Sequence, residues 1–264
     1  MMGDFLLNLR MKMYERLKRI ATADCKDDGE SFLVSTRLDV IHQLLHGTPW
    51  KRIKEGNLTH IYSRREIMAE DTITIVSSHV DCVYSSLFCE SLCGEDDEQF
   101  LRGTFDNALT NAAVVELMLS GRLPENVVVV FNGDEEKDSH GANEVLNHLS
   151  ERDCYVGLVL VTDVTTVGWE QGLSLTIEND QNIDLLTAHS IVNVINEKFK
   201  GLCGFQHAAL PDESWIYGEY KLPCLTLCCP VGGDMHSDHG VLARVSSLSA
   251  YCDALECLCR VVAE

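Results

Sequence analysis

Seven side chains in this 264-residue sequence have the types and the spacing to do chemistry together. His79 and Asp81 stand two residues apart at the end of Thr72 to Asp81, where Ile73, Ile75 and Val76 read as a buried strand. On extended backbone those two side chains share one face. An imidazole there can bind a metal through one ring nitrogen while the carboxylate orients it. A lone His-x-Asp is common and often marks nothing more than a polar strand end, so its weight depends on further ligands arriving in order. Asp106 opens the apolar-periodic run through Ala113 and Leu117, which places it at a helix N-terminus. A carboxylate is favoured there by the helix dipole and free N–H groups. It reads equally as a plain helix cap or as a carboxylate whose two oxygens bridge two cations. Glu135 and Glu136 follow the apolar run Val127 to Phe131. Adjacent at a strand end, they point different ways, so one can bind metal while its neighbour acts as general base. Asp163 closes the apolar run Val156 to Val161, and His236 and His239 sit in the Gly-rich turn Pro230 to Gly240.

The elements that must position these residues alternate between strand and helix through the middle of the chain. That order predicts an α/β fold with a mostly parallel, mixed central sheet and helices on both faces. Such sheets bind ligands at the carboxyl ends of their strands, where His79, Glu135, Glu136 and Asp163 fall. Amphipathic helices are expected over residues 4 to about 22, and from about Ser31 to Gly47. Polar residues 24 to 31 read as the loop between them. The stretch Glu90 to Glu98 reads as a surface loop, and residues 173 to 177 as a strand. A long helix is expected over Ile183 to Phe199, a strand near Cys224 to Cys228, and a final helix over Val245 to Val262. The length fits one domain spanning residues 1–264, with the N-terminal helices 4–46 packed on it. Mixed imidazole and carboxylate ligation suits zinc, with manganese or cobalt as alternatives. Five candidate ligands are too many for one zinc that keeps an open position, and they suit two divalent metal ions bridged by a carboxylate.

Composition narrows the partners. The net charge of -20, from 41 acidic and 21 basic residues, argues against nucleic acid and against an anionic membrane surface. No apolar run is long enough to span a bilayer, and Met1 to Arg10 lacks the pattern of a secretion signal. The expectation is a cytoplasmic protein with reduced thiols. No Cys-x-x-Cys pair occurs among the 12 cysteines, which reads against structural zinc or a thioredoxin-like site. Cys89 and Cys93, four apart beside acidic residues, are a weak alternative metal pair.

The ordered set His79-x-Asp81, Gly103-x-x-Asp106-Asn107, Glu135-Glu136, Asp163 and Met235-His236-Ser237 resembles the co-catalytic di-zinc peptidases, the group of zinc aminopeptidases and their carboxypeptidase relatives. The resemblance covers residues 72 to 240. It implies that His79, Asp106 and Asp163 hold one metal, and that Asp106, Glu136 and His236 hold the other, with Asp106 bridging. It implies Glu135 as the general base and Asp81 as the residue that orients His79. It favours His236 over His239. The separations His79 to Asp106 and Asp163 to His236 are too short for the inserted lid domains of some branches, so the compact aminopeptidase branch is implied. The implied substrate is a small peptide or aminoacyl compound. The sequence sets no oligomeric state.

Two positions depart from the family's pattern: Asn111 and Asp138 stand where Gly is usual. A glutaminyl-cyclase-like acyltransferase with a single zinc is one alternative on this fold, and a non-catalytic peptide-binding protein is another. His42, His46, His60, His148, His189 and His207 read as ordinary histidines. Asp212 and Glu213 read either as a solvated loop or as partners for a substrate amino group, and His140 as a possible pocket residue.

Overall fold

The computed structural model describes residues 2–24, 35–93, 99–180, 182–208 and 212–261. An eight-stranded sheet forms its centre, in the order β1-β2-β6-β3-β7-β10-β8-β9. Its inner strands are β3 (Thr72–His79), β6 (Val127–Asn132), β7 (Tyr155–Thr165) and β10 (Cys224–Pro230). These four pair in parallel. Beside them lie β1 (Lys51–Glu55) and β2 (Thr59–Ser63) on one edge, and β8 (Leu175–Asn179) and β9 (Cys203–His207) on the other. Antiparallel pairing of β2 with β6 and of β10 with β8 makes the sheet mixed, as expected.

Strands β3, β6 and β7 are rich in Val and Ile, and β10 in Leu and Cys, because both faces are covered. One face carries Val76, Val129, Phe131, Leu160 and Leu227. It packs beneath α1 (Met2–Ala21), α2 (Ser35–Leu44), α3 (Ala108–Ser120), α5 (Leu185–Phe199) and α7 (Val245–Val261). Leu17 and Ile20 of α1, and Leu38 and Ile41 of α2, join that core, which is the amphipathic packing predicted for the N-terminal helices. Helix α3 is apolar nearly all round, and ten of its residues are buried between the sheet, α1 and α7. The opposite face carries Ile73, Ile75, Val128, Val159 and Val161 beneath α4 (His140–Ser150) and α6 (Ser214–Glu219).

A second sheet of three strands, β11-β5-β4, was not anticipated. It consists of β4 (Cys89–Cys93), β5 (Gln99–Gly103) and β11 (Val241–Arg244). Part of the stretch expected as a loop, Glu90 to Glu98, is therefore strand β4; its remainder lies outside the described residues. Residues 25 to 31 of the expected loop, the first residues of the second helix and Val262 also lie outside them. Strand β9 and helix α6 lie between the expected helix Ile183 to Phe199 and the expected strand near Cys224, where no element was expected. Among the described residues no helix is long and apolar enough to cross a membrane.

Candidate metal centre

Parallel pairing of β6, β3 and β7 brings their carboxyl ends level. His79 pairs with Asn132 across β3 and β6, and Ser77 with Val161 across β3 and β7. Glu135 and Glu136 follow β6 directly, and Asp163 lies inside β7 rather than beyond it. The small sheet supplies the other two residues. Strand β5 leads into Asp106, and β11 follows the turn that carries His236. Val241 pairs with Gly103, and Gly232 bridges to Leu242. Gly240 has a φ of +67°, and a Cβ there would sit 2.6 Å from the Gly103 carbonyl oxygen. Only glycine allows that approach without strain.

All seven residues converge. His79 Nε2 lies 3.2 Å from Asp106 Oδ1 and 3.4 Å from Asp163 Oδ1. His236 Nε2 lies 3.0 Å from Asp106 Oδ2 and 3.6 Å from Glu136 Oε2. The two Asp106 oxygens thus face different imidazoles. Ligand atoms of His79, Asp106 and Glu136 also come within 4.8 Å of one another, so the two sets adjoin. Glu135 Oε2 is 3.9 Å from His79 Nε2. Asp81 Oδ1 is 3.4 Å from His79 Nδ1, while Asp81 Oδ2 accepts from the Glu136 main-chain N–H at 3.1 Å. Asp81 therefore touches both halves of the cluster.

Asp106 is not the cap of α3; that position is Asn107, whose side-chain amide donates to the Thr162 carbonyl at 2.6 Å. The Asp106 carboxylate is left for the histidines. His239 contributes main-chain bonds only: its carbonyl accepts from Arg102, and its N–H donates to Ser237 Oγ. His140 pairs with Asp134, beside Asp138, and is absent from the cluster. Cys89 is buried and Cys93 exposed, and neither belongs to a group that could hold a metal among the described residues. No disulfide joins any of the eleven described cysteines.

Five carboxylates and two imidazoles share this space, and no lysine or arginine pairs with them among the described residues. Burial and the neighbouring carboxylates push Glu135, Glu136 and Asp163 upward. Burial alone would lower His79, but Glu135, Asp106, Asp163 and Asp81 outweigh it and raise it. The hydrogen bond to Asp106 chiefly raises His236. Asp106 is held low by the two histidines against its burial. Four atoms of the cluster, His79 Nδ1, Asp81 Oδ1, Asp106 Oδ1 and Glu136 Oε1, are buried without a hydrogen-bond partner. Crowded acidic groups with unsatisfied oxygens and two imidazoles are the donor set that divalent cations satisfy.

Several supporting residues gave no local signal. Asn111, a departure from the family's pattern, donates to the His79 carbonyl at 2.7 Å and to Ser78 Oγ at 2.9 Å. It thereby ties α3 to the end of β3. Arg37, fully buried, donates to the Val80 carbonyl at 2.8 Å from the other direction. Tyr84 is buried near the Asp106 and His236 main chains. Glu213 is 1% exposed, so the solvated-loop reading fails for it. Its Oε2 accepts from Asn132 Nδ2 at 2.7 Å, and burial pushes its carboxyl up to about 7. The sequence shows Asn132 on the same strand face as Val130, which is the one hint that its amide lies beside His79.

Comparison with known proteins gives a family and a fold. The sequence model described as "Peptidase family M28" matches residues 59–214. No curated protein sequence matches the chain. Among solved structures, the chain is similar to the TET1 peptidase of Pyrococcus horikoshii, with a TM-score of 0.68 at 12% identity over 93% of this chain and 98% of that one. Aminopeptidase APDkam598 from the archaeon Desulfurococcus kamchatkensis gives 0.70 at 10% identity over 94% of each chain. The LapA aminopeptidase of Legionella pneumophila gives 0.64 at 13% identity over 99% of this chain and 72% of that one. At these identities the structural likeness shows a shared fold.

Proposed function

Because this chain belongs to peptidase family M28, we propose that it is an aminopeptidase with a carboxylate-bridged pair of divalent cations, zinc by preference. In this reading residues 1–264 act as one catalytic unit. The observation that carries it is Asp106: its two oxygens face His79 and His236 at 3.2 and 3.0 Å. His79, Asp106 and Asp163 would hold one cation, and Asp106, Glu136 and His236 the other. When bound, the pair supplies Lewis acidity to the scissile carbonyl and to a water.

The remaining chemistry belongs to the chain's own residues. Asp81 faces the His79 ring at Nδ1, where it would orient the imidazole, and its other oxygen accepts from the Glu136 main chain. Asn111 and Arg37 fix the backbone on either side of His79. Of the two carboxylates here given no metal, Asp81 is engaged with His79 and the Glu136 main chain, which leaves Glu135, with 16% of its side chain exposed. Left without a metal and partly open to solvent, it is the group that would take a proton from water and hand it to the leaving amine. The expected substrate is a short peptide or aminoacyl amide that presents its free N-terminus.

The test is Glu135→Gln, assayed on aminoacyl amides with metal content measured in parallel. Metal retained with kcat lowered about a thousandfold is expected. Turnover within about tenfold of wild type removes Glu135 from the mechanism.

A further inference from the structure

The sheet face that carries His79 and Asp163 continues beyond the metal centre toward its far edge. Asp163 pairs with Cys228, and Cys228 with Thr176. Two residues back, Thr226 pairs with Val161 on one side and Glu178 on the other. Paired residues, and residues two apart, project from the same face. Asp163, Cys228, Thr226, Thr176 and Glu178 therefore line one surface. Asp212 is drawn onto it, because its Oδ2 accepts from the Thr226 hydroxyl at 2.6 Å.

Glu178 in this position is unusual. It is 9% exposed, on a strand, and its Oε1 has no hydrogen-bond partner. Among the described residues no lysine or arginine pairs with Glu178 or Asp212. Burial, with the charges of Asp212 and Asp163 nearby, outweighs hydrogen bonds from Thr165 and Cys228 and pushes the Glu178 carboxyl up to about 7. A buried carboxylate without a cation is costly, and a cation delivered to it is correspondingly favourable.

Distance decides which cation. Strand β8 lies two strands from β7, about 10 Å across the sheet, and Glu178 is set back about 7 Å along it from the level of Asp163. A substrate's α-amino group is two bonds from the carbonyl under attack at the metal centre, so it cannot reach. The ammonium of a lysine side chain lies on the order of 6 Å from its Cα, and an arginine reaches slightly further. With the length of the Glu178 side chain added, that span fits. The acidic protein, at a net charge of -20, also steers cationic substrates toward itself.

We propose that Glu178, with Asp212 beside it, forms the subsite for the first side chain of the substrate and selects peptides that begin with lysine or arginine. This rests on the aminopeptidase reading for its catalytic consequence, whereas the cation-binding part stands on the sheet geometry alone. Two readouts separate them. The first is kcat/KM of the metal-loaded protein on lysyl, arginyl and leucyl p-nitroanilides. The second is calorimetric binding of free L-lysine against L-norleucine, which has no side-chain ammonium. Both are made on wild type and on Glu178→Gln, which keeps the shape and removes the charge.

Wild type should bind lysine about tenfold tighter than norleucine, and should prefer lysyl over leucyl substrate by a similar factor. Glu178→Gln should bring both ratios close to one with leucyl turnover unchanged. Lysine preference in binding, erased by the variant, with no turnover of any substrate, upholds the subsite and removes the aminopeptidase. Leucyl substrate turned over best, with norleucine bound as tightly as lysine, upholds the aminopeptidase and overturns the subsite. The wild-type binding ratio alone decides the matter should the variant fail to fold.

Discussion

At the scale of single residues, the centre depends on hydrogen bonds that hold ligands as much as on the ligands. Asn111 shows this. Its amide bonds the His79 carbonyl and Ser78 Oγ inside a fully buried contact. Asn111→Ala should cost about 1 to 3 kcal/mol in urea denaturation, because it leaves buried partners unpaired. It should also weaken metal retention, measured by competition with a chelator. An unchanged urea midpoint would mean that His79 is held by other means. The residues proposed as ligands were legible from sequence: His79, Glu136 and Asp163 follow apolar runs, Asp106 precedes one, and His236 sits in a Gly-rich turn. Asn111, Arg37 and Glu213 were not. Their partners lie 32, 43 and 81 residues away, and no local pattern encodes such pairings.

At the scale of elements, the parallel strands were readable because burial on both faces writes continuous apolar runs such as Val127 to Phe131. Strands β4, β5 and β11 escaped because they are short and largely exposed on one side, with charged residues such as Glu90 and Arg102 among them. Yet they set the spacing between Asp106 and His236. Gly240→Ala should therefore act on both stability and metal binding. A side chain at φ +67° against the Gly103 carbonyl should cost about 2 kcal/mol or more by thermal unfolding. It should also reduce bound metal.

Strand β2 carries a pH effect of its own. His60 is buried, with Arg52 3.3 Å away, and burial followed by the Arg52 charge lowers it to about 4. The folded state thus refuses a proton that the unfolded chain accepts near its ordinary value. Stability from this group is present above about pH 6.5 and declines as pH falls toward 4. Between pH 7 and 5 wild type should lose about 1 to 2 kcal/mol more than His60→Gln, with allowance for the solvent that reaches Arg52. Parallel urea titrations of the two proteins would show it; equal losses would contradict it.

At the scale of the whole molecule, one end of the sheet concentrates negative charge that the rest of the fold does not neutralise. Five carboxylates meet at the candidate metal centre, and Glu178, Asp212 and Glu213 extend that charge along the same face. In the function proposed above, divalent cations would stabilise this arrangement by binding the folded state in preference to the unfolded one. A chelator should lower the Tm by several degrees, and zinc added back should restore it. The central claim is that the Asp106 carboxylate is shared by two cations. The measurement that addresses it most directly is metal per chain by plasma mass spectrometry, on untagged protein purified without chelator, for wild type and Asp106→Ala. Close to two equivalents of divalent metal in wild type, with both lost in the variant, is the result predicted here. A single equivalent in wild type, or a variant that still binds one cation tightly, would contradict a shared Asp106.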